Sequence, residues 1–74
     1  MADLLDVTGL TCPLPVLRVR KRLRDVPVGD ELRILATDPG APRDIQALCE
    51  TGGHVFLQSR EADGVFEILI RRGA

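Results

Sequence analysis

The sequence predicts a two-layer α/β sandwich of order β-α-β-α-β-β, with a four-stranded mixed sheet and two helices on one face. Three observations carry this expectation. Four short segments alternate apolar and other residues, as strands do. Two segments repeat their apolar residues at helical spacing. Gly, Pro and Asp cluster at the joints between them. Each helical segment has one narrow apolar stripe, enough to cover one face of a sheet while the other face stays more polar. The β-α-β connections should be right-handed if the strands they join are parallel. The 74 residues leave room for one domain, expected to span 1–74. Phe56 and Phe66 are the only aromatics, so the core must be built from Val, Leu and Ile.

Residues 4–9 read as the first strand, with Leu5 and Val7 on one face and Asp6 and Thr8 on the other. Gly9-Leu10-Thr11 leads into Cys12-Pro13-Leu14-Pro15. Pro13 suits the first helical position, where its missing N–H has no intrahelical partner. This places Cys12 at the N-cap and Pro15 in the first turn, where proline is tolerated. Val16, Val19, Leu23 and Val26 then share one stripe. Pro27-Val28-Gly29-Asp30 ends the helix. Residues 31–37 read as a second strand, and Asp38-Pro39-Gly40-Ala41 as a turn. Pro42 opens a second helix, with Asp44 in its first turn complementing the dipole. Ile45, Leu48 and Cys49 form its apolar face, and Gly52-Gly53 stops it. Residues 54–61 and 65–72 read as a hairpin joined at Asp63-Gly64, with Phe66, Ile68 and Ile70 on one side.

The net charge of −1 is unevenly spread. Arg18, Arg20, Lys21, Arg22 and Arg24 against Asp25 leave an excess of four positive charges on one helix, and the remainder is acidic. Such a face suits an acidic protein surface or a phosphate-bearing partner. Leu14 and Leu17 fall among these cations, as an apolar anchor inside a charged rim would. Direct nucleic-acid binding is not expected, because the helix has no aromatics and the rest of the chain is acidic. No apolar run is long enough to span a bilayer. Residues 1–6 lack a basic leader followed by an apolar stretch. A reducing cytoplasm with free thiols is the expectation.

Cys12 carries the chemistry. A thiolate is the reactive form, and its pKa falls at a helix N-terminus or beside cations, for which Arg18 and Lys21 are the candidates. The dipole contributes roughly 0.3–1 kcal/mol for an exposed anion. Pro13 and Pro15 stiffen the helix entry and leave the N–H groups of Leu14 and Val16 free to meet the sulfur. A residue serving only as a cap would be Ser, Thr, Asp or Asn. No general base is evident: His54, the only histidine, reads as a surface residue. Cys-x-x-Cys is absent, which argues against a dithiol. Two cysteines and one histidine without close spacing do not make a metal site. No phosphate or dinucleotide glycine pattern is present, and no cofactor is expected. Cys49, on an apolar stripe, reads as a buried inert thiol. A lone exposed nucleophile without its own machinery suits a carrier that accepts a group from one protein and hands it to another.

Leu5-Asp6, then Gly9-Leu10-Thr11-Cys12-Pro13-Leu14-Pro15-Val16-Leu17 and Arg20-Lys21, resembles the Cys-Pro-x-Pro signature of the TusA/SirA/YedF family of small sulfur-relay proteins. Thr37 to Ile45 with Leu48-Cys49 resembles that family's second block, and Gly64 with Leu69 to Arg72 its close. The resemblance implies a persulfide carried on Cys12. It also implies a sulfur donor, a cysteine desulfurase or rhodanese-like enzyme, and an acceptor sulfur-relay protein in tRNA thiolation, molybdenum cofactor assembly or sulfur oxidation. Docking would fall to Leu14, Leu17, Arg18 and Lys21. The alternative is a non-catalytic module in which Cys12 is a redox-regulatory thiol.

Overall fold

The computed structural model describes residues 3–74. Six elements run in the expected order: β1 (Asp3–Val7), α1 (Leu14–Leu23), β2 (Glu31–Ala36), α2 (Ala41–Gly52), β3 (Val55–Ala62) and β4 (Val65–Arg71). The sheet order is β1-β2-β4-β3. β1 and β2 are parallel, and the other two pairs are antiparallel. β4 therefore inserts between β2 and β3, so the β2-α2-β3 crossover skips one strand.

Alternation decides which face each strand buries. Leu32, Ile34 and Ala36 of β2 are fully buried, as are Ile68 and Ile70 of β4. These face the helices and pair directly in register, Leu32 with Ile70 and Ile34 with Ile68. Val7 closes the layer opposite Ala36. The core is aliphatic, and Phe56 and Phe66 pack only at its margin. The face without helices carries the polar residues. There Glu67 of β4 bridges Arg33 at 3.0 Å and Arg60 at 2.9 Å, one on each neighbouring strand. The hairpin turn has Asp63 and Gly64 both at positive φ, the geometry that an Asp-Gly pair supplies.

Two boundaries differ from expectation by more than one residue. β1 ends at Val7, because Thr8 turns back onto Asp6, whose carboxylate accepts from the Thr8 N–H (2.9 Å) and hydroxyl (2.7 Å). α1 ends at Leu23, and its buried stripe is Pro15, Val19 and Leu23, with Val16 only half-buried. Pro15, four residues before Val19, takes the inward position that the sequence pattern gave to Val16. Val26 still reaches the core, because a tight turn donates its N–H to the Leu23 carbonyl at 3.2 Å.

The C-terminal end of α1 is held from the far end of the chain. Arg72 donates through Nη1 to the carbonyls of Leu23 (3.0 Å), Arg24 (3.3 Å) and Val26 (2.7 Å). One guanidinium thus gathers three carbonyls at the end of the helix, sharing that of Leu23 with the Val26 N–H, and its charge suits the negative end of the dipole. Arg22 ties the same helix to β1 through Asp3 at 3.0 Å. Between them these contacts fix the axis along which α1 presents its first turn.

Candidate functional site: a thiol at the joined ends of two parallel strands

Adjacent parallel strands end at the same edge of a sheet, so the segments that follow them meet there. The segment after β1 carries Cys12; the segment after β2 carries Asp38 and opens α2. A hydrogen bond from the Gly9 N–H to Thr37 Oγ1, at 2.8 Å, joins the two. Gly9 sits at φ +80°, a backbone setting that glycine reaches without a Cβ penalty.

Cys12 is exposed and reduced. It lies just outside α1 rather than at its cap. Pro13 is the N-cap residue, Leu14 the first helical residue and Pro15 the second. No side chain caps this terminus, and the Leu14 N–H donates to the Thr11 carbonyl at 2.9 Å. The expected meeting of sulfur with the Leu14 N–H is therefore corrected. A turn from Thr11 to Leu14 consumes that donor and leaves the sulfur outside the helix. The Cys12–Pro13 peptide bond is cis.

The sulfur opens onto a groove of about 330 Å³ between the two helices, lined also by Val16 and Arg20 of α1 and by Asp44, Ala47, Leu48 and Thr51 of α2. The groups acting on it are acidic. The Asp44 carboxylate, as acceptor for the thiol proton, pushes the Cys12 pKa above its ordinary value. Partial burial and the negative charges of Asp44 and Asp38 add to the push. The expected lowering by the dipole and by Arg18 and Lys21 is corrected. Those two cations line a different cleft with Leu5, Arg22 and Asp25. A dipole that stabilises an exposed thiolate by at most about 1 kcal/mol meets here the opposing charge of a carboxylate that lines the same groove as the sulfur.

Sequence reading placed Asp44 at the start of α2 but gave it only a dipole role. The signal that finds it is topological: once β1 and β2 are known to be parallel neighbours, the α2 N-terminus must face the segment carrying Cys12. Both carboxylates converge at Gly40, where a Cβ would sit 3.2 Å from Asp38 Oδ2 and 3.8 Å from Asp44 Oδ2. Asp38 is occupied in part by the Gly40 N–H, at 3.2 Å. Neither carboxylate is in an ion pair among the described residues.

Leu14 and Leu17 are exposed, at 43% and 48%, beside the exposed Arg18 and Lys21. The basic face is smaller than the sequence suggests, since Arg22 is engaged with Asp3 and with the Leu4 carbonyl at 3.3 Å. His54 lies away from Cys12; its Nδ1 accepts from the Gly73 N–H at 3.1 Å, and its ring lines a separate pocket with Arg72. Cys49 is buried in α2, and burial holds its pKa above the ordinary thiol value. Among the described residues no cluster of His, Cys, Asp and Glu could hold a metal ion, and no helix is long and apolar enough to cross a membrane.

A single exposed thiol on a two-layer α/β sandwich defines the class, small thiol proteins of the SirA-like fold. The crystal structure of a SirA-like protein from Desulfitobacterium hafniense superposes with a TM-score of 0.78 and 28% identity, each chain covered in full. The sequence profile of the family described as Sulfurtransferase TusA matches residues 4–72, and the chain belongs to that family. A Neisseria meningitidis serogroup A protein, provisionally named a sulfur carrier, is 51% identical over 70 residues, 95% of each chain. The sulfur carrier protein TusA of Allochromatium vinosum is 41% identical over 75 residues, 97% of this chain and 99% of that one.

Proposed function

We propose that the protein is a sulfur carrier that receives sulfane sulfur as a persulfide on Cys12 and delivers it to an acceptor protein. The observation that carries the reading is the exposed Cys12 thiol on an open groove, in a chain whose relatives are named sulfur carriers. Loading is an exchange. The Cys12 thiolate attacks the terminal sulfur of a donor persulfide, a new S–S bond forms, and the donor cysteine leaves as a thiolate. Delivery repeats the step with an acceptor thiolate attacking the Cys12 persulfide. No net oxidation occurs, and neither step needs a metal or cofactor.

The donor is a cysteine desulfurase or rhodanese-like enzyme, and the acceptor is a sulfur-relay protein in a tRNA thiolation, molybdenum cofactor or sulfur-oxidation pathway. Leu14, Leu17, Arg18 and Lys21 form the docking patch, an exposed apolar pair with a cationic rim on the helix that follows Cys12. Pro13 and Pro15 hold the entry: Pro15 is buried under the helix while Pro13 stays at the surface. The redox-sensor alternative fits the site less well. Peroxide-sensing thiols are of low pKa and sit near a resolving cysteine; here Asp44 acts in the opposite direction and Cys49 is buried.

The test is incubation with a cysteine desulfurase and cysteine, followed by intact mass measurement. The reading expects a gain of one sulfur atom, absent in Cys12→Ser. No gain, or a gain that survives Cys12→Ser, refutes it.

A further inference from the structure

We propose that Asp44 is a positioning residue for Cys12: its carboxylate holds the proton on the idle thiol and keeps sulfur seated on Cys12 once loaded. The inference rests on the carrier reading for its second half only. Its basis is the geometry of the groove. Asp44 projects from the first turn of α2 into the groove that also holds the sulfur, and is half-buried there. It has no ion-pair partner among the described residues, so its acceptor capacity is free for the thiol. The charged groups facing Cys12 are Arg20 from α1, Asp38 from the turn after β2 and Asp44 from α2. Arg20 lines the groove without an ion pair to either carboxylate. The raised thiol pKa agrees with this arrangement.

The chemistry follows from the exchange reaction. In loading, the thiol first gives its proton to solvent or to Asp44. The thiolate then attacks the donor's terminal sulfur while the donor thiolate departs. A more basic thiolate is the stronger nucleophile once formed, but less of it is present at neutral pH. In delivery, Cys12 must leave as a thiolate, and a more basic thiolate leaves more slowly. A carboxylate beside the sulfur therefore slows both the idle reaction with stray electrophiles and the loss of sulfur to small thiols. A docked partner that places a cation or hydrogen-bond donor on Asp44 would relieve both restraints at once.

The experiment measures the rate of Cys12 alkylation by iodoacetamide against pH, in the unloaded protein with Cys49→Ala as background. Each unit by which a thiol pKa falls gives tenfold more thiolate, of which roughly threefold is lost to weaker nucleophilicity. Asp44→Asn is expected to move the profile to lower pH and to raise the rate at pH 7 about threefold. Asp44→Glu should restore part of the original profile. Asp38→Asn, outside the helix, should move it the same way by less, and serves if Asp44→Asn fails to fold. A folded Asp44→Asn protein with an unmoved profile overturns the proposal; a purely structural role would lower the melting temperature and leave the profile in place. In the loaded protein, Asp44→Asn should lose sulfur to dithiothreitol faster than its parent, and equal rates would overturn the second half. If Cys12 never gains sulfur, the carrier reading fails, while the alkylation profile still decides the role of Asp44.

Discussion

The two cysteines of this chain both hold their protons more tightly than an ordinary thiol, for opposite reasons. Cys49 does so because α2 buries it against the sheet, where a charge has no solvent. Cys12 is exposed and does so because Asp44 stands beside it. Burial is a property of the whole fold and cannot be relieved without opening it. A neighbouring carboxylate can be neutralised by one substitution or one docked cation. The same direction of shift therefore marks an inert thiol in one place and a restrained reactive thiol in the other.

The contrast is broken most severely by exchanging the roles. Cys12→Ser should abolish sulfur loading entirely, with little change in melting temperature, since nothing in the core depends on this side chain. Cys49→Ser should leave loading intact but cost about 1–3 kcal/mol of stability, because its hydroxyl would be buried without a designed partner. Thermal unfolding and intact mass on the two variants give both readouts. Loss of loading in the folded Cys49→Ser protein would show that the buried thiol takes part.

A smaller effect is expected at the support of the helix that presents Cys12. Arg72→Ala removes three donations to the end of α1 and should cost about 2 kcal/mol, charged hydrogen bonds being worth about 1.5–3 kcal/mol. For a domain of this size that is a fall of about 10 °C in melting temperature. Sulfur loading at low temperature should persist, because the first turn of α1 does not touch Arg72.

Docking should respond in affinity alone. Leu17→Ala with Arg18→Ala is expected to weaken binding of the donor about tenfold, about 1.4 kcal/mol, as truncation of exposed anchor residues does. Alkylation of Cys12 should be unaffected, since Arg18 lines a different cleft. Isothermal titration with the donor enzyme checks the first part, and a changed alkylation rate would contradict the second.

The smallest effect is expected on the far face of the sheet. Arg60 and Arg33 hold the Glu67 carboxyl below the usual carboxylate value, chiefly through the Arg60 hydrogen bond. A depressed folded pKa gives stability that is present above the unfolded value and lost as pH falls through the folded one. Glu67→Gln should therefore flatten the acid limb of the stability curve below about pH 4.5, because it removes at neutral pH the same small stabilisation that the parent loses in acid. Urea midpoints measured across that range test it, and an unchanged acid limb would contradict the assignment.

The element order was legible because each strand and helix repeats its apolar residues at its own period, and because Asp63-Gly64 and Gly52-Gly53 punctuate the chain at their ends. The exposed position of Cys12 and the burial of Cys49 followed from the same patterns. The electrostatics of Cys12 did not. Local sequence shows the cations that follow Cys12 on α1, whereas Asp38 and Asp44 lie more than two dozen residues away. They reach the sulfur only because β1 and β2 pair in parallel, and no periodicity states which strands are neighbours. The insertion of β4 between β2 and β3 was hidden for the same reason. Arg72 was hidden too, since a long side chain that caps a helix about fifty residues earlier in the chain leaves no local pattern.

The most direct measurement is peptide-level mass spectrometry of the protein after single-turnover loading by a cysteine desulfurase, with free thiols blocked before digestion. The account predicts one added sulfur atom on the peptide containing Cys12, none on that containing Cys49, and its disappearance when an acceptor thiol protein is supplied. An added sulfur on Cys49, or a Cys12 peptide that remains unloaded beside an active donor, would contradict it.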